Sequence, residues 1–175
     1  MLTRAINAMI RAIDSGRRAV QDLRSSRTAS SKLAESFAQM RDELSHFRQP
    51  GERPNLYFIC EGRAKPLRAV VEQELCWIGR EALINAMRHA HAGNIEITVV
   101  FHRNFLSLNV QDDGCGLEPT LMPAGKNERG LSCIREKAER MGARLSVWSA
   151  RGCGTELELK VPARVAFAGL ESGKP

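Results

Sequence analysis

The residues with the clearest chemical potential lie in the stretch E-A-L-I-N-A-M-R-H-A, residues 81–90. Within it Glu81, Asn85, Arg88 and His89 fall at i, i+4, i+7 and i+8, the spacing of one α-helical stripe. Packing alone gains nothing by aligning an acid, an amide, a cation and an imidazole beside a buried face. A site for hydrated magnesium and a polyphosphate does. Mg²⁺ takes hard oxygen ligands and keeps several waters, so the amide oxygen of Asn85 is a candidate metal ligand. Arg88 is a candidate counter-charge for phosphate. An ordinary polar helix face would show the same spacing, so this segment alone does not decide.

Three further motifs follow in order. Asp112-Asp113-Gly114-Cys115-Gly116 comes directly after an apolar run. A carboxylate there can accept a hydrogen bond from an exocyclic amine such as that of adenine, and the glycines let backbone approach a ligand. Gly130-Leu131 is expected to open a helix after a long loop, offering free N–H groups to phosphate, with Lys126 and Arg129 nearby. Gly152-Cys153-Gly154-Thr155 lies between two strand patterns, where Thr155 could reach a phosphate. An Asp-Gly turn, a helix start and a hairpin turn are the plain alternatives for these three.

The elements that must position these residues are legible from periodicity. Leu2, Ile6, Met9, Ile13, Val20 and Leu23 form a narrow apolar seam, and Leu33, Phe37, Met40, Leu44 and Phe47 form a second. Pro50-Gly51-Glu52-Arg53-Pro54 ends the helical region. The expected division is a helical segment over 1–50, a nucleotide-binding domain over 51–162 and a flexible tail over 163–175. Leu56–Cys60 reads as a strand, and Pro66 as the start of a helix running to about His91 with Val71, Leu75, Ile78, Ala82 and Ala86 inward. Ile95–Phe101 and Phe105–Val110 read as a hairpin about Arg103-Asn104. Residues 113–129 read as loop, Leu131–Met141 as a helix stopped by Gly142, and Arg144–Ser149 with Thr155–Val161 as a last strand pair.

Composition narrows the function classes. No apolar run is long enough to span a membrane, and Arg4, Asn7 and Arg11 break any signal-peptide core, so a cytoplasmic chain is expected. Five cysteines without C-x-x-C spacing argue against a zinc site or a disulfide scaffold. The net charge of +6 suits an anionic partner, but with 5% aromatic residues and scattered basic ones no direct nucleic-acid binding is expected.

Taken together, E-A-L-I-N-A-M-R-H-A, D-D-G-C-G-L, R-G-L-S-C-I-R-E-K-A-E-R-M-G-A-R-L and G-C-G-T-E-L-E-L resemble the GHKL superfamily of ATPases. Within it they are most similar to sensor histidine kinases of the nitrate-sensor subfamily, over residues 55–162. The resemblance implies a two-layer α/β sandwich, a mixed sheet with helices on one face. It implies ATP and Mg²⁺, with Asn85 on the metal and Glu81 positioning water or the acceptor. Arg88, His89 and Lys126 join the nucleotide-binding set. Asp112 would hold the adenine amine, Gly114 and Gly116 the pocket floor, Gly130 and Leu131 the lid end, and Gly154 and Thr155 the last glycine turn. Implied partners are the dimerisation and phospho-acceptor helices of the same receptor, a downstream response regulator and a possible homodimer.

Two departures from the family pattern stand out. Glu128 occupies the place of a lid glycine, where an acid would repel phosphate unless turned to solvent. The histidines, His46, His89, His91 and His102, lack the family's phospho-acceptor context, which implies an acceptor outside this chain. The alternatives are a stand-alone serine kinase of the anti-sigma-factor type and a nucleotide-binding module without catalysis.

Overall fold

A computed structural model describes residues 54–116 and 126–169, together with 33, 35–37, 39, 40 and 43; side chains of 126–129 are outside it. The seam over 1–32, the loop over 117–125 and residues 170–175 lie outside the described residues.

Alternation of apolar and polar residues builds five strands: β1 (Asn55–Gly62), β2 (Asn94–Phe101), β3 (Phe105–Asp112), β4 (Arg144–Ser149) and β5 (Thr155–Pro162). They form one sheet in the order β1-β2-β3-β5-β4, parallel between β1 and β2 and antiparallel elsewhere. Ile95, Ile97 and Val99 of β2, Leu106, Leu108 and Val110 of β3, and Leu157, Leu159 and Val161 of β5 are buried. The period of two puts them on one face. Against that face lie α1 (Ala69–Asn85) and α2 (Lys126–Arg140). The stripe Val71, Leu75, Ile78, Ala82 and Ala86 is buried as its spacing predicts, and α2 contributes Ile134 and Ala138. The two helices are joined by Lys137, whose Nζ lies 2.6 Å from Glu74 Oε2 and over the Trp77 ring.

Several boundaries differ from the sequence expectation, each through a contact with distant residues. Helix α1 begins at Ala69, not at Pro66. Leu67 pairs with Phe167, and the Arg68 N–H donates to Ala166 O at 3.0 Å, which holds both residues extended. Those partners belong to the expected flexible tail. Instead Ala163–Ala166 forms a short helix, α3, and Ala166 and Phe167 are buried, with Phe167 stacked on Phe101. The packed body therefore runs past Pro162.

Helix α2 begins at Lys126, inside the expected loop, and ends in a Schellman motif. There the N–H of Gly142 donates to Glu139 O and that of Ala143 to Ala138 O. The C′ position at Gly142 is as its place in the sequence predicts, with φ at 62°.

Residues of the helical segment expected over 1–50 also reach this domain. Leu33 and Phe37 sit in the same core as the sheet. The Phe37 ring lies 5.7 Å from that of Phe58 and fills the space a side chain on Gly79 would occupy. Part of the second apolar seam is thus spent on this domain's own core. Phe37→Ala should cost about 3 kcal/mol or more in urea unfolding, the range for truncating a buried aromatic. An unchanged midpoint would show that the segment adds nothing to the core.

Candidate functional site

The site begins at the ends of the two central strands. Asp112 closes β3 and pairs in register with Thr155, which opens β5. The residue is 8% exposed. Oδ1 accepts the Gly114 N–H at 2.9 Å. Burial pushes the carboxyl above the ordinary aspartate range. The Gly114 and Thr155 N–H groups oppose that, Asp113 adds to it, and the Thr155 hydroxyl opposes it again. Thr155 is therefore tied to Asp112 at the sheet end of the site. Its Oγ1 also lies 3.1 Å from Ser149 Oγ.

Two glycine loops are stitched together beside this pair. Gly154 N–H donates to Gly114 O at 2.9 Å, and Gly152 N–H to Cys115 O at 2.7 Å. Gly154 has φ at 73°, and a Cβ there would collide with the Asp112 carbonyl, so both conformation and closeness require glycine. Gly116, with φ at 71°, is held as closely against Ala150. Gly114 lies against Ala90, whose carbonyl accepts the Cys115 N–H at 2.7 Å. This contact joins the strand ends to the end of α1.

That helix end is a single wide π turn, Ala86–Ala90, capped by His91 in the left-handed region at φ 50°. The turn breaks the spacing on which the four-residue stripe rests. Glu81 and Asn85 share a face: a Cβ on Gly130 would lie 2.7 Å from Glu81 Oε1 and 3.5 Å from Asn85 Nδ2. Arg88 and His89 are exposed on the π turn beyond that pair. The structure thus brings together Glu81, Asn85 and Gly130 at one end, and Asp112, Gly114, Gly116, Gly154 and Thr155 at the other. Leu131 is packed against the core.

Gly130 and Leu131 do not open α2, since the helix starts one turn earlier at Lys126. Gly130 is a helix-interior glycine that lets α2 approach Glu81. Lys126 and Glu128 fall in the first turn, where an acid is favoured by the helix dipole.

Asp113 escaped the sequence reading because Asp-Gly looks like an ordinary turn. Its Oδ1 accepts the N–H groups of Gly93 and Asn94, both at 2.8 Å, and Oδ2 accepts the Asn94 side-chain amide at 2.7 Å. Partial burial raises its pKa, but these bonds outweigh it and the net shift is downward. Asp113 clamps the start of β2 to the end of β3. His102, by contrast, serves the β2–β3 turn: Nδ1 accepts the Asn104 N–H, and the ring stacks on Phe105.

The profile described as histidine kinase-, DNA gyrase B-, and HSP90-like ATPase matches residues 70–165. The chain belongs to this family. It is 32% identical to the nitrate/nitrite sensor protein NarX of Escherichia coli over 145 residues, covering 72% of this chain and 24% of NarX. It is 35% identical to the sensor histidine kinase LiaS of Bacillus subtilis over 92 residues, 53% of this chain and 25% of LiaS. The chain thus spans about a quarter of the length of these relatives. The histidine kinase domain of the Erythrobacter litoralis EL346 blue-light activated kinase shares the fold. Its TM-score is 0.58 at 18% identity, covering 90% of this chain and 86% of that domain. Among the described residues no helix is long and apolar enough to cross a membrane.

Two stability measurements probe this geometry. Asp113→Ala should cost about 1.5 kcal/mol, the low end for hydrogen bonds to a charged group because the site is exposed; an unchanged urea midpoint would show the clamp idle. The raised pKa of Asp112 means that the folded state binds its proton more tightly than the unfolded chain does. Stability then falls as pH rises from the ordinary aspartate range through the raised midpoint. Asp112→Asn cannot ionise and should lack that decline, so parallel pH profiles for the two proteins would contradict the assignment.

Proposed function

We propose that this chain is the ATP-binding catalytic part of a sensor histidine kinase, passing the γ-phosphoryl of ATP to a histidine on another segment. The observation that carries this reading is Asp112: a buried carboxylate at a strand end, flanked by glycines packed too closely to admit side chains. One of its oxygens accepts the Gly114 N–H, leaving acceptor capacity for an adenine amine. In this reading the glycine loops beside it would lie against the base.

In this reading the triphosphate runs from Asp112 toward the Glu81–Asn85 pair. Asn85 would hold Mg²⁺ through its amide oxygen, and the ion when bound would neutralise charge on the phosphates. One amide ligand suits an ion that keeps most of its waters. Glu81, facing Gly130 and adjacent to Asn85, orients the incoming acceptor and takes up its proton. Transfer forms a nitrogen–phosphorus bond as the bond between the γ-phosphorus and ADP breaks. The protein's part is positioning and charge stabilisation. Arg88, His89, Lys126 and Leu131 are proposed as peripheral contacts that close over the phosphates.

The acceptor histidine, the dimerisation helices and the response regulator lie with other segments or proteins, at the cytoplasmic side of a receptor. His102 and His91 already serve turns, which supports an acceptor elsewhere. Several similar proteins are named as sensor proteins or sensor histidine kinases, which favours this reading over a serine kinase or a non-catalytic module.

Calorimetric titration with ADP and a non-hydrolysable ATP analogue, with and without Mg²⁺, tests it. Asp112→Ala should weaken binding by about 1.5–3 kcal/mol, or roughly ten- to a hundred-fold. Asn85→Ala should abolish the benefit of Mg²⁺ while sparing ADP binding in its absence. No nucleotide binding by the unaltered chain would overturn the proposal.

A further inference from the structure

A second concave surface lies at the far end of α1, about 24 Å along the helix from the Glu81–Asn85 end at 1.5 Å per residue. It is a cleft of about 600 Å³ where the start of α1, the end of α2 and α3 meet. Arg68 just before α1, Arg140 at the end of α2 and Arg164 of α3 line it, around Val70, Met141 and Val165.

All three arginines are exposed. Arg68 is held in place, with Nε donating to Phe167 O at 3.4 Å. Arg140 and Arg164 have no ion-pair partner among the described residues. At the same place α1 begins without a side-chain cap on its first N–H groups. The positive charge here comes from the three guanidinium groups; the N-terminal end of α1 adds to it, and the C-terminal end of α2 and Glu72 in the first turn of α1 offset part of it. Glu72 and Glu139, the nearest acids in sequence, do not line the cleft.

Charge alone would suit any anion, but the floor is apolar. Val70 is 66% exposed at the first turn of α1, an unusual position for a β-branched residue with no covering contact. Met141 and Val165 beside it are only half-buried. Inorganic phosphate would fill a small part of this volume and leave the apolar floor wet. A protein segment with carboxylates flanking an apolar side chain uses both features. Its carboxylates meet guanidinium forks, and its apolar group covers Val70.

We propose that this cleft docks an acidic segment of a partner protein, carrying an apolar residue between carboxylates. Docking is separate from the nucleotide site and does not rest on the kinase reading.

The test uses the full chain and a fluorescein-labelled synthetic peptide of alternating glutamate and leucine, followed by fluorescence anisotropy. Saturable binding is expected. The double variant Arg140→Glu/Arg164→Glu should weaken it tenfold or more, and Arg140→Gln/Arg164→Gln by a smaller factor. Val70→Asp should weaken it as well. Arg103→Glu, a charge reversal in the β2–β3 turn, and saturating ADP should leave it unchanged. The proposal is overturned if the peptide does not bind, or if the arginine variants bind as well as the unaltered chain. It is also overturned if oligoglutamate of equal length binds equally, or if millimolar inorganic phosphate displaces the peptide fully at constant ionic strength.

Discussion

The site depends on one buried carboxylate and on the company it keeps. Asp112 stands at the junction of the two central strands, opposite Thr155, with the Gly114 N–H on its Oδ1. Burying a carboxylate is costly unless hydrogen bonds satisfy it. Here they do so in part, and its pKa is raised. A group kept at that cost at a strand end, beside glycines that bring backbone into contact, supports the proposal that it meets a ligand that donates a hydrogen bond. The stitched loops at Gly114 and Gly154 fix its direction, and Gly114 against Ala90 relays that placement to the helix carrying Glu81 and Asn85.

The same economy of contacts organises the rest of the domain. Helix α1 is gripped at three points. Phe37 sits on Gly79, Lys137 bridges from α2 to Glu74, and Phe167 pairs with Leu67 just before the helix starts. Its two ends then do different things. One presents the acid and amide to α2 at Gly130, and the other opens into a basic cleft. The two surfaces thus lie at opposite ends of one helix, about 24 Å apart.

Much of this was legible in the sequence because it depends on local pattern. The alternation in β2, β3 and β5 and the helical stripe from Val71 to Ala86 each follow from burying one face. Gly142 ends α2 as a left-handed residue, again a local matter. What was not legible depends on residues far apart in the chain. The late start of α1 comes from pairing with Ala166 and Phe167, and the packed segment after Pro162 from stacking on Phe101. The π turn displaced Arg88 and His89 from the stripe that ideal spacing assigns to them. Asp113 looked like half of a turn and proved to be the clamp on Asn94. The family itself was legible because the order of the motifs around Glu81, Asn85 and Asp112, rather than any single one of them, matches a family of ATPases.

The central claim is an order along the proposed nucleotide site: base at Asp112, phosphates toward Gly130. Backbone amide NMR with stepwise ligands tests it most directly. Adenosine alone should shift the amides of Gly114, Cys115 and Thr155 and leave Gly130 and Leu131 in place. ATP with Mg²⁺ should then move Gly130, Leu131 and Asn85 as well. If adenosine shifts Gly130 first, or if ATP leaves Gly114 and Thr155 unmoved, the carboxylate is not the base-binding group and the account fails.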